Sequence, residues 1–313
     1  MTEPNAPAPF EQAFRAWQEQ SRLLERIQIG FIVGPPKTGT SWVTSTLHAH
    51  PAIVARGEGH LATRLVPAIT QAMHAYAAAQ GGTRRASDKP PPPWVAPDQR
   101  DALLLARQAI DRMLVRYLAT SGKSRVACVL DKTPDHARHM DLLGTLYPRA
   151  RFICVTRDVR DAAVSAWFYR VLLGETAHFR AIDDFAPAYA RDVWAPMMAL
   201  ARRSGAALGP TRYLEISYED YTRDGRAVIA SLLRFLALPS DDREVDACLE
   251  SAAFKRQAGR DAGVEAKSFY RKGVVGDWAN HLDATVASRT LDVAHEILAR
   301  AAAPAPIPTS PAA

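Results

Sequence analysis

Gly34-Pro35-Pro36-Lys37-Thr38-Gly39-Thr40-Ser41-Trp42 directly follows an apolar run, Ile27 to Val33, that reads as a buried strand. Val43-Thr44-Ser45-Thr46-Leu47 then opens a helix that Pro51 stops. Strand, glycine-bearing loop and helix aim backbone N–H groups and a positive helix end at a phosphate. Gly34 and Gly39 have the spacing of the two glycines in a nucleoside-triphosphate loop. That loop requires Lys directly after its second glycine, then Ser or Thr for magnesium. Here Thr40 takes the Lys position, and the only lysine, Lys37, lies inside the loop. The stretch therefore reads as a cradle for a nucleotide phosphate held in another manner than ATP or GTP.

The 313 residues suffice to bury a substantial core. A hydrophobic share of 48% and a charged share of 23% suit a soluble globular protein. The net charge of +6 fits attraction to a polyanionic ligand, or simply a solvated surface. The charges are spread rather than blocked, so a nucleic-acid partner gets little support. Cys128, Cys154 and Cys248 lie far apart and form no metal-like cluster. Two of them sit in apolar, strand-like runs, which suits a reducing compartment and argues against a disulfide framework. No metal is expected. No run nears the ~20 apolar residues of a membrane span. The N-terminus, with early acidic and proline residues, does not resemble a signal peptide. A cytoplasmic enzyme without a membrane partner is the expectation.

Residues 1–26 read as an extension: a Pro/Ala-rich start, then a helix with the stripe Phe10, Phe14, Trp17, Leu23, Leu24 packed on the body. Residues 27–302 read as one domain, and 303–313 as a frayed Pro/Ala-rich tail. Strands are expected at Val126–Leu130, Arg151–Thr156 and Tyr213–Ser217. Helices are expected over 65–80, 99–120, 135–147, 159–173, 184–204, 226–236, 241–251 and 284–301. A short extended piece within 52–64 carries Glu58 and His60 behind the phosphate loop. Alternating strands and helices imply an α/β fold: three layers, with a mostly parallel central sheet flanked by helices. Such sheets bind ligands at the carboxyl ends of their strands. Lys37, Lys132, Arg157 and Tyr218 each stand at such an end. The run Pro90 to Pro93 with Trp94 reads either as a surface loop or as a stiff lid beside an acceptor site.

Two further clusters belong with the loop. Arg157-Asp158-Val159-Arg160-Asp161-Ala162-Ala163-Val164-Ser165 starts at a strand end and reaches two turns into a helix. Arg157 and Ser165 could converge there on a second anion; alone, the pattern is a cap with a surface ion pair. Arg271-Lys272-Gly273-Val274-Val275-Gly276-Asp277-Trp278 puts two cations before a flexible glycine, which suits a phosphate clamp or a basic turn.

Together the three clusters resemble the sulfotransferases that use 3′-phosphoadenosine 5′-phosphosulfate (PAPS) and release adenosine 3′,5′-bisphosphate (PAP). Pro36-Lys37-Thr38-Gly39-Thr40-Ser41-Trp42 is similar to that family's 5′-phosphosulfate loop, Pro-Lys-x-Gly-Thr-x-Trp. The stretch Arg157 to Ser165 resembles its 3′-phosphate motif, and Arg271 to Trp278 resembles the Arg-Lys-Gly-x-x-Gly-Asp-Trp of the cytosolic branch. The order along the chain is the family's, and the resemblance covers about residues 27 to 283. It implies that Lys37 and the amides of Thr38, Gly39, Thr40 and Ser41 bind the 5′-phosphosulfate. Arg157, Ser165, Arg271, Lys272 and Gly273 would bind the 3′-phosphate. Trp42, Tyr218 and Phe254 would contact the adenine, Phe254 being equally readable as a helix-packing ring. A sulfuryl group carries less charge than a phosphoryl group, so a lysine and loop amides can offset the leaving-group charge without magnesium.

The acceptor hydroxyl or amine needs a base. The cytosolic branch uses a His about sixty residues past the loop lysine, but no His lies between His74 and His136. Glu58-Gly59-His60, after His50-Pro51, resembles the base region of the glycosaminoglycan branch. Glu58 is thus the first candidate base and His60 the second, against a reading of Glu58 as a paired surface carboxylate. Lys132, in Asp131-Lys132-Thr133-Pro134, resembles that branch's lysine facing the reacting sulfuryl. The acceptor, a small molecule or a sugar, and any homo-oligomer stay open. A P-loop small-molecule kinase and a non-catalytic nucleotide-binding module are the alternatives.

Overall fold

Short apolar runs fold here into five strands whose two faces are both covered. The computed structural model describes residues 9–85 and 97–302. Its strands are β1 (Gln28–Val33), β2 (Ile53–Gly57), β3 (Cys128–Lys132), β4 (Arg151–Thr156) and β5 (Tyr213–Ser217). They lie in the order β2-β3-β1-β4-β5, and every neighbouring pair is parallel. Side chains alternate across a strand. Phe31, Val33, Val54, Val129, Phe152 and Cys154 therefore pack on one face, against helices Gln99–Ala119, Val159–Leu173, Ala195–Leu208 and Ala284–Ala302. Ile32, Ile53, Leu130, Ile153 and Val155 pack on the other, against helices Thr40–Ala49, Gly225–Phe235 and Asp242–Ala252. This is the expected three-layer α/β arrangement, with the sheet parallel throughout the described residues. All three cysteines are free and buried.

The chain leaves β1 for one edge of the sheet and later returns to its other side, so β3 and β4 flank β1. That reversal opens a crevice at the carboxyl end of β1. The loop Gly34–Gly39 occupies it. Gly34 (φ 136°) lies so close to β4 that a Cβ there would sit 2.3 Å from the carbonyl oxygen of Val155. Gly34→Ala is expected to destabilise the fold by about 3 kcal/mol, combining disallowed backbone with a clash against backbone. Urea unfolding of the purified variant checks this; an unchanged midpoint would contradict it.

Several elements differ from expectation. Strand β3 continues through Asp131 and Lys132 instead of ending before them. Polar residues signal an end only where nothing satisfies them, and here both are buried and partnered. The helix expected over 135–147 is a tight turn, Pro134–Arg138, followed by the short helix Met140–Leu146. The break falls at His139, whose backbone is non-helical (φ −128°). The segment 184–204 is helical but widens into a π-turn at Ala190–Trp194. Short helices at Tyr218–Arg223 and Phe254–Ala258 were not foreseen. The N-terminal helix, Pro9–Leu24, buries Leu24 but leaves Phe10 80% exposed. No described helix is long and apolar enough to cross a membrane. The proline-rich stretch with Trp94 and the tail 303–313 lie outside the described residues.

Candidate active site

A cleft of about 400 Å³ opens over the carboxyl ends of the strands. The loop after β1 forms its floor. Lys37 (φ 71°) and Gly39 (φ 101°) both take the left-handed backbone, and the helix starts at Thr40. Two reversals in three residues turn the chain sharply, and Thr40 and Ser41, the first residues of the helix, line the cleft. The Thr38 hydroxyl points the other way; fully buried, it donates to the carbonyl of Pro35 at 2.8 Å. Tyr189 braces the loop by donating from its hydroxyl to the carbonyl of Pro36. Gly39 has no room for a side chain, since a Cβ would meet the Tyr218 ring at 2.8 Å.

Lys37 Nζ sits 4.3 Å from the ring centre of Tyr169 and 4.1 Å from that of Phe269. The rings offset part of its lost hydration through their negative faces. Burial, and then the positive charges of Arg157, Lys132 and Arg271, lower its pKa from 10.5 to about 8. Cationic charge is thus concentrated around one loop.

The other cations come from the residue that follows β4 and from the segment after Tyr270. The Arg157 guanidinium lies over the Tyr218 ring at 4.4 Å and donates to the carbonyl of Val274 at 2.9 Å. Asp161, one turn later, accepts from the amides of Gly276 (2.7 Å) and Trp278 (2.9 Å). The third cluster is thereby tied to the second. Arg271 and Lys272 both pair with the buried carboxylate of Asp277. These two cations hold that carboxyl well below its ordinary range, against the opposing effect of burial. Ser165 lines the cleft from helix Val159–Leu173. Trp42 stacks edge-on against Tyr221 at 4.1 Å and tilts against Tyr218 at 5.2 Å. Gly273 presses on Phe254, whose ring a Cβ would meet at 2.3 Å.

At the opposite end, Glu58 follows β2 and contacts Lys132 at the end of β3, Oε1 to Nζ, at 2.5 Å. Its other oxygen lies 3.6 Å from His60 Nε2. Glu58 lines the cleft and is 40% exposed, whereas Lys132 is 8% exposed. His60 lies behind Glu58 and does not line the cleft.

The cleft brings together Lys37, Gly39, Thr40, Ser41, Trp42, Glu58, Arg157, Ser165, Tyr218, Phe254, Arg271, Lys272 and Gly273. Thr38, His60 and Lys132 stand one layer behind it. Tyr169 and Phe269 also line it, and sequence reasoning did not give them a role as the rings around Lys37. Helical spacing from Ser165 carried a signal for Tyr169 (i, i+4); nothing comparable marked Phe269. No three described His, Cys, Asp or Glu side chains are grouped as metal ligands.

The model of the sulfotransferase family matches residues 31–242. The chain belongs to this family. The match takes in the loop, Glu58, Lys132, Arg157 and Tyr218 of this sulfotransferase-family chain, and stops short of Arg271. Cytosolic sulfotransferase 11 of Arabidopsis thaliana is 28% identical over 173 residues, 49% of each chain. The 3-beta-hydroxysteroid sulfotransferase of Cavia porcellus is 23% identical over 145 residues, 42% of this chain and 50% of its own. The chain spans about half the length of the relatives it matches. A mouse sulfotransferase solved in complex with PAP shares the fold, with a TM-score of 0.55 at 16% identity over 87% of this chain and 84% of its own.

Proposed function

We propose that this chain moves the sulfuryl group of PAPS to a hydroxyl or amine of a small acceptor. The observation that carries the reading is the setting of Lys37. Its ammonium lies within reach of the charges of Arg157, Lys132 and Arg271, and no described carboxylate pairs with it. The donor's anionic groups suit this cleft on a second count. Arg157, Arg271 and Lys272 all line it, and three separated cations suit a ligand with several anionic groups. PAP complexed to the mouse relative supports the same nucleotide here.

In this reading the donor supplies the sulfuryl group. Lys37 and the amides of Thr38 to Ser41 offset charge on the leaving phosphate. Arg157, Ser165, Arg271, Lys272 and Gly273 hold the 3′-phosphate, while Trp42, Tyr218 and Phe254 contact the adenine. Glu58 takes the acceptor proton, with Lys132 beside it. The approach to Lys37 favours an acceptor with an apolar or planar body over a sugar. Tyr169 and Phe269 line it, and Leu172 and Leu173, three and four residues beyond Tyr169 on its helix, are 46% and 51% exposed.

Calorimetry with PAP and with Mg·ATP tests the donor assignment. PAP is expected to bind at least about tenfold tighter, because Thr40 stands where an ATP loop needs lysine. Tighter Mg·ATP binding would overturn the reading in favour of a kinase. A PAPS-dependent screen of phenols, sterols, amines and sugars, read by mass shift, then identifies the acceptor class.

A further inference from the structure

Glu58 sits on a turn, and the turn is held by side chains rather than by the sheet. Three of the first four backbone amides after Glu58 meet acceptors from one short segment. The amide of Gly59 donates to Asp131 Oδ2 at 3.1 Å, that of His60 to Thr133 Oγ1 at 3.2 Å, and that of Ala62 to His136 Nε2 at 3.2 Å. All three acceptors are fully buried. They are also joined to one another. Thr133 donates to Asp131 Oδ1 at 2.9 Å, Tyr117 donates to Asp131 Oδ2 at 2.9 Å, and His136 Nδ1 lies 3.4 Å from Asp131 Oδ1. Chiefly burial lowers the His136 pKa to about 3, which leaves one ring nitrogen as an acceptor, and the Ala62 amide pointing at Nε2 makes it that one. The fit is tight: a Cβ on Gly59 would lie 2.4 Å from Asp131 Oδ2 and 2.5 Å from the Tyr117 hydroxyl.

The same segment carries Lys132, which contacts Glu58 directly. One strand end therefore fixes both the turn that bears the carboxylate and the cation beside it. We infer that Asp131, Thr133 and His136, with Tyr117 behind them, are positioning residues that set the place of Glu58. None of them lines the cleft, so they act through Glu58 and not on the acceptor. The inference rests on the reading of Glu58 as the base. A buried polar network suits this task, because it specifies one arrangement of the turn.

Two measurements separate the network from that reading. Hydrogen–deuterium exchange over residues 57–62 needs no acceptor. Thr133→Val and Tyr117→Phe are expected to speed exchange there by about tenfold or more, with the loop 34–42 unchanged. Unchanged exchange in both variants overturns the network. A double-mutant cycle then reads turnover with PAPS and the best acceptor of the screen. Thr133→Val should lower kcat by about tenfold with donor KM within about twofold, and Thr133→Ser should retain the activity. In a Glu58→Gln background Thr133→Val should cost less than about twofold, since its effect passes through Glu58. Equal losses in both backgrounds overturn the positioning role. Full turnover in Glu58→Gln alone would instead sink the base assignment and leave the exchange result standing. Tyr117→Phe, which removes a single hydroxyl, keeps both tests open if Thr133→Val does not fold.

Discussion

Replacing Lys37 by Met is expected to lower kcat by about 10²- to 10³-fold, the usual cost of losing one preorganised donor at developing charge. On the proposed reading PAP affinity should change much less, because Arg157, Arg271 and Lys272 would remain to hold its phosphates. Single-turnover transfer with PAPS, beside calorimetry with PAP, checks the split. A variant that keeps half of its turnover would remove Lys37 from the chemistry. The pH dependence gives an independent reading. With its pKa lowered to about 8, Lys37 loses its proton far below the ordinary 10.5. In the free protein kcat/KM should therefore fall above pH 8, and Lys37→Met should abolish that limb. Stability moves in the opposite sense. Between about 8 and 10.5 the unfolded chain holds the Lys37 proton while the folded chain has released it, so the contribution of Lys37 to stability rises with pH in that window.

Glu58→Gln is expected to lower kcat by between about 10²- and 10⁴-fold, the range for losing a general base. The amide keeps the shape and can still accept a hydrogen bond from Lys132, so the turn stays in place. Donor affinity should hold, since the described contacts of Glu58 are with Lys132 and His60, not with the cations of β4. Pre-steady-state transfer separates this loss from slow product release. Unimpaired turnover would move the base to another group, with His60 the nearest candidate.

The fold was legible because its strands are short apolar runs between helix signals, and because Gly34 and Gly39 stand where the chain must reverse. That Lys37, Arg157 and Tyr218 meet in one cleft was legible for a related reason. They follow β1, β4 and β5 closely in the chain, so local spacing carries them. The far side was harder. That Asp131 is an acceptor inside the core, and not a strand-ending carboxylate, depends on Tyr117 and Gly59. Those residues come from other parts of the chain. Phe269 reaches Lys37 only through tertiary folding. Nor does the motif at Arg271 announce that Asp277, six residues on, gathers both of its cations.

The strand order also acts as a ruler. Read across the sheet, Glu58, Lys132, Lys37, Arg157 and Tyr218 stand at or just past the strand ends, one for each strand. Neighbouring strands lie about 4.8 Å apart, so four steps give a row about 19 Å long. A bound molecule that reaches from Glu58 to Tyr218 must lie across the strands, stretched out, with one end at each margin of the sheet. On the proposed reading donor and acceptor share this row, so length becomes a selection criterion: a donor shorn of its base would leave the Tyr218 end uncovered.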